Sequence, residues 1–150
     1  MPETISKKHE ALPFKYEAGW SGIPNAIFEL YSFHPKFTAS CLMVYIFLIH
    51  RYNASIGYAY PTHDQMADAL GLSRLTIIKS IKALKELDLI IVDKISTYDN
   101  AVYFFKAPLS ERSIFEDRFP EAIDKRLKHE KTRLNDSNTR HERKENFKKS

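Results

Sequence analysis

Two helix-start residues, Thr62 and Ser73, stand either side of Gly71, and this arrangement constrains the fold more than any other feature of the chain. Threonine and serine favour N-caps because their hydroxyls accept the otherwise unpaired N–H groups of a first helical turn. Glycine tolerates the left-handed backbone that ends a helix in a tight turn. The stretch from His63 to Leu70 therefore predicts a short helix with Met66, Ala67 and Leu70 facing inward, stopped at Gly71. In the helix that Ser73 opens, Ile77, Ile81, Leu84 and Leu87 recur on one stripe, while Leu75, Lys79, Lys82 and Glu86 fall opposite. Two helices crossing at so short a turn need a small residue where they touch, here Ala67, and an apolar anchor in the second helix, here Ile77.

The flanking segments supply the rest of one domain. Pro24 suits the first turn of a short helix over 25–30. Thr38 is an N-cap for a central helix in which Leu42, Tyr45, Ile46 and Ile49 form the expected core stripe. The segment 58–61 predicts a short strand. The stretches 89–95 and 101–107 predict a hairpin joined by turn residues at 96–100. Beyond Pro108, Phe115, Phe119, Ile123 and Leu127 are spaced by helical turns, with Pro120 starting a new helix after a kink. Composition divides the chain into a disordered leader over 1–13, a domain over 14–108, a helical extension over 109–134 and a charged, disordered tail over 135–150.

The order helix, short strand, helix, turn, helix, hairpin predicts a mainly α fold with a small β-hairpin wing, a winged helix-turn-helix, in which one helix enters the major groove of DNA. Charge agrees with an anionic partner. The chain carries a formal net charge of +4, and the segment from Ser73 to Lys85, with Arg74, Lys79, Lys82 and Lys85 and no acidic residue, carries as much by itself. Ser73, Arg74 and Thr76 occupy the first turn of the candidate reading helix, where the backbone N–H groups and side chains meet phosphate and base edges. Arg74 suits a bidentate contact with guanine; Lys79, Lys82 and Lys85 suit phosphates. Thr62 and Gln65 are candidates for orienting phosphate contacts, and Lys94, Tyr98 and Asn100 for contacts from the wing.

The run from Ala59 to Ile90 resembles the winged helix-turn-helix of Gram-positive phage and plasmid replication proteins, and the N-terminal domains of primosomal initiation proteins of the DnaD type. An aromatic-Pro-Ser/Thr start is matched by Tyr60-Pro61-Thr62, an Ala-x-x-x-Gly-x-Ser turn by Ala67 to Ser73, and a Leu-x-x-x-x-Leu-Ile exit by Leu84 to Ile90. The upstream segment from Ile23 to Phe28 is similar as well. The resemblance implies the fold, double-stranded DNA as partner, and a role in replication initiation alongside other replication proteins. The chain departs from the family at Asp88, where glycine is usual, and in place of a second domain it has a charged stretch.

Other function classes find little support. The glycines, Gly19, Gly22, Gly57 and Gly71, form no phosphate-cradling loop, so the reading is not an enzyme and takes no cofactor. The histidines lack metal-ligand spacing, and Cys41 lies in an apolar run as a small hydrophobe. Asp64 and Asp68 read as structural carboxylates near a helix start. No apolar stretch reaches the length of a membrane span and no export signal opens the sequence, so the expectation is a cytoplasmic protein with no membrane partner. A transcriptional repressor and a protein-interaction module of the replication machinery remain as alternatives on the same fold. The stripe from Phe115 to Leu127 either packs on the domain or forms a homodimer seam.

Overall fold

The computed structural model describes residues 12–94 and 101–149. Residues 12–24 contain no helix or strand, and Phe14, Tyr16 and Trp20 are exposed, so packing begins at Ile23 and Ile27 rather than at residue 14. After a short helix, α1 (Ala26–Glu29), and a single 3-10 turn over Tyr31–Phe33, the Thr38 hydroxyl accepts the Cys41 N–H and opens α2 (Ala39–His50). Next come α3 (His63–Leu70) and α4 (Arg74–Glu86), and then β1 (Ile90–Lys94) and β2 (Ala101–Phe105), an antiparallel hairpin with Ile90 opposite Phe105. Tyr98 and Asn100, and the turn between the strands, lie outside the described residues.

The core is shared by every element of this domain: Ile27 and Tyr31 from the N-terminal turns, Val44 and Leu48 from α2, Met66 from α3, Ile77 and Leu84 from α4, and Ile90 and Tyr103 from the hairpin. On α2 the buried face is Cys41, Val44, Tyr45 and Leu48, so the expected stripe through Leu42, Ile46 and Ile49 is rotated from the true one. The helix is apolar nearly all round, and periodicity cannot choose a face when most faces are greasy. Burial pushes the Cys41 thiol up to about 12, which leaves it a packed hydrophobe.

The strand expected at 58–61 shrinks to two isolated bridges, Tyr58 with Asn53 and Ala59 with Tyr103, of which only the second joins the hairpin. Ala59 and Tyr103 exchange both backbone hydrogen bonds, at 3.0 and 2.8 Å. The next paired position, two residues on, is Pro61, which has no N–H to offer. In the other direction Gly57 turns away with φ +85° and donates to the Asn53 carbonyl at 2.8 Å.

The C-terminal extension is part of the core. The Leu109 N–H donates to the Tyr31 hydroxyl at 3.0 Å, and Phe115 of α5 (Arg112–Arg118) packs on the Tyr31 ring with centroids 4.7 Å apart. Phe119 then leaves helical geometry, with φ −125° and ψ 73°, as a residue before proline tends to. Pro120 leads into α6 (Glu121–Lys149), as the sequence predicts. The break rotates the helix, so Ala122 is buried, Ile123 is half-buried and Leu127 is 50% exposed.

The tail expected to lack structure is helical through Lys149. Lysine, arginine and glutamate are good helix formers, neither glycine nor proline follows Pro120, and opposite charges one turn apart, such as Arg126 and Glu130 at 3.1 Å, add local support. No described helix is long and apolar enough to cross a membrane.

Candidate nucleic-acid interface

Both helix starts at the α3–α4 corner are built as the sequence predicts. Thr62 and Gln65 form a reciprocal capping box: the threonine hydroxyl accepts the Gln65 N–H at 3.0 Å, and Gln65 Oε1 accepts the Thr62 N–H at 2.9 Å. The glutamine carbonyl is thereby committed, which leaves its amide nitrogen as the outward donor. Gly71 sits at φ +65°, and the Leu72 N–H returns to the Ala67 carbonyl at 3.2 Å. A side chain at Gly71 would meet nothing within 4 Å, so backbone handedness rather than space selects glycine there. Ser73 Oγ accepts the Thr76 N–H at 3.1 Å and also meets the Thr76 hydroxyl at 2.8 Å. The caps hold α3 and α4 at fixed starts, and the buried side chains Met66, Ile77, Ile81 and Leu84 fix how each helix is rotated.

That rotation sends Arg74, Leu75, Ile78, Lys79, Lys82 and Lys85 outward, all exposed. Arg74 reaches back to Asp64 in the first turn of α3, with Nη1 and Oδ1 3.7 Å apart and both side chains well exposed. Burial first and the Arg74 charge second hold the His63 imidazole below its ordinary value. Thr76, Lys79 and Lys82 line an open groove of about 500 Å³ whose other wall is the first turn of α2, with Lys36, Thr38 and Ser40. Lys36 donates to Glu86 at 2.6 Å; this bond raises the lysine and lowers the carboxyl, and the neighbouring Lys82 lowers Glu86 further.

The corner therefore unites Thr62, Gln65, Ser73, Arg74 and Thr76, and Lys79 and Lys82 continue along α4. Lys94 stands apart as the last described residue of β1, its N–H held by the Asp93 carboxylate at 2.7 Å. Sequence reasoning missed the Lys36 wall of the groove, since only the fold brings residue 36 beside residue 86. It also passed over Leu75 and Ile78, 60% and 42% exposed, as possible contacts.

The far end of α4 is closed by Asp88 at φ +62°. The Asp88 N–H donates to the Lys85 carbonyl at 3.1 Å and the Leu89 N–H to the Leu84 carbonyl at 3.0 Å, the paired bonds of a Schellman turn. Its carboxylate accepts from Lys106 at 2.9 Å and from Arg118 at 2.5 Å, so these hydrogen bonds hold it below the usual carboxylate range. Aspartate thus fills the left-handed position that glycine fills in the family the sequence resembles.

A family model described as a helix-turn-helix domain matches residues 38–90, from the cap of α2 to the first residue of β1. No curated protein and no solved structure matches the chain. Residues 38–90 are a helix-turn-helix domain, and the hairpin that follows them makes the architecture a winged helix-turn-helix.

Proposed function

We propose that this protein binds double-stranded DNA with base preference, with α4 in the major groove. The observation that carries the reading is the outward face of α4: Arg74, Lys79, Lys82 and Lys85 project away from the buried Ile77–Leu84 stripe and are exposed. Arg74 at the first helical position is the candidate for a guanine edge, the lysines neutralise phosphates, and the start of α3 with Thr62 and Gln65 sets orientation through the backbone. Lys94 adds a minor contact from the wing. The resemblance of the segment from Tyr60 to Ile90 supports replication initiation on a phage, plasmid or integrative element as the setting.

Anisotropy titration of random and selected duplexes over a range of salt tests this directly. The three α4 lysines on phosphates give a log-affinity against log-salt slope of about −2.7, or about 40-fold weaker binding at 200 mM than at 50 mM salt. A selected duplex should bind at least tenfold tighter than a random one at the same salt; absence of binding to any duplex would refute the reading. Footprinting separates the biological settings: direct repeats at an origin support initiation, and a palindrome over a promoter supports repression.

A further inference from the structure

We propose that Leu75 and Ile78 make this surface read the 5-methyl group of thymine beside the base pair that Arg74 contacts. The inference rests on the placement of α4 in the major groove and adds the base identity that such placement recognises.

At about 100° per residue, Leu75 falls about 150° from the centre of the stripe formed by Ile77, Ile81 and Leu84, so it sits near the middle of the outward face. Ile78 stands one turn along and beside it. Their exposures of 60% and 42% leave a leucine and an isoleucine in water on the helix that carries the domain's densest positive charge. Other apolar side chains are exposed on the chain, Ile91 and Ile114 among them. Around the helix Leu75 lies between Lys82 and Lys79, and Ile78 lies between Arg74 and Lys82. That frame selects the occupant. An apolar protein surface would have to bury these charges, whereas a DNA groove meets them with phosphates and offers one apolar feature on its base edges, the thymine methyl. Arg74 and Leu75 are neighbours in the chain, so the guanine and the thymine they contact lie within about two base pairs of each other.

The test uses the full chain and a duplex selected from a random library. Each thymine near the selected guanine is replaced in turn by deoxyuridine, which removes the methyl and keeps every hydrogen-bonding group. Loss of one buried methyl weakens binding about fourfold. Leu75→Ala and Ile78→Ala are exposed substitutions, and their thermal unfolding should match that of the parent. The expected result is a deoxyuridine position that weakens the parent about fourfold and leaves Leu75→Ala or Ile78→Ala unaffected, a coupling that a structural role for these residues would not produce. If the parent binds the selected duplex tightly and with the expected salt slope, yet no deoxyuridine position matters, the thymine contact is wrong and the DNA reading stands. If no duplex binds, both fall.

Discussion

Replacing Asp88 tests how the end of α4 is held, because this residue combines a left-handed backbone with a doubly bonded carboxylate. Asp88→Asn keeps the size and the tolerance of positive φ but removes the charge. Lys106 and Arg118 are both partly exposed, so each pair contributes no more than about 1 kcal/mol, and the asparagine variant should lose about 1–2 kcal/mol. Asp88→Ala loses those pairs and also places a β-carbon in the left-handed region, raising the loss to about 2–3 kcal/mol. Asp88→Gly loses the pairs but relieves the backbone, so its net loss should be about 1 kcal/mol or less. The glycine and alanine variants both lack a carboxylate, which makes their difference, about 1–2 kcal/mol, a measure of the backbone alone. Urea unfolding with linear extrapolation resolves such differences. Raising the salt should shrink the loss in Asp88→Asn and leave the glycine–alanine difference unchanged. The carboxyl is held below its ordinary value of 3.8, so its contribution is present above that pH and is lost as pH falls through the lowered folded-state value. An alanine variant as stable as the glycine variant would refute the backbone argument, and an asparagine variant as stable as the parent would refute the role of the pairs.

Three further outcomes are expected. Arg74→Ala should bring selected and random duplexes closer in affinity, whereas Lys79→Ala should weaken all duplexes alike and flatten the salt slope by about 0.9; the same response from both variants contradicts the assigned roles. Asp64→Asn removes the exposed partner of Arg74 and a negative charge near the DNA, so affinity should rise by about twofold to fivefold at low salt, measured by anisotropy, with the gain fading as salt rises. Burial lowers His34, with Lys36 and Lys125 adding to the effect and Glu121 and Glu86 opposing it, and its Nδ1 accepts the Lys36 N–H at 3.1 Å. Its stabilisation is therefore complete above its ordinary value of 6.5 and is lost as pH falls below that, so the urea midpoint should drop between pH 7.5 and 5 by more in the parent than in His34→Gln.

What could be read from the sequence was local. The Thr62 and Ser73 caps and the Gly71 turn depend on bonds between residues a few positions apart, and each stands where the sequence places it. The buried stripe of α4 was legible because the opposite face is charged. The same logic failed on α2, where Leu42 and Cys41 are both apolar and only the packing of α4 and the hairpin decides which is buried. Segment 58–61 was over-read as a strand, since the proline that closes the aromatic run also removes the N–H of the next rung. The wall formed by Lys36 and the pairing of Asp88 with Lys106 and Arg118 depend on tertiary approach and leave no local signal. The charged tail was read from its polarity alone, although its lysines, arginines and glutamates are helix formers.

The ion pairs at the two ends of α4 differ in what they connect, a single exposed pair at its start and a carboxylate with two partners at its finish. At its start, Arg74 meets Asp64 at 3.7 Å with both groups in water, a pair whose loss costs at most about 1 kcal/mol and which a guanine edge or a phosphate can replace. At its finish, Asp88 joins three elements at once, because Lys106 follows β2 and Arg118 ends α5, and the Phe115 ring on Tyr31 ties α5 in turn to the N-terminal turns. Freeing Asp88 would loosen the hairpin and the extension together. Under the proposed DNA reading, base contacts belong to the first turns of α4, and the last turn would hold the angle at which they are presented. The extension after Pro108 meets α4 at this junction, and if the proposed DNA reading holds, it braces the finish of the helix whose start would read the bases.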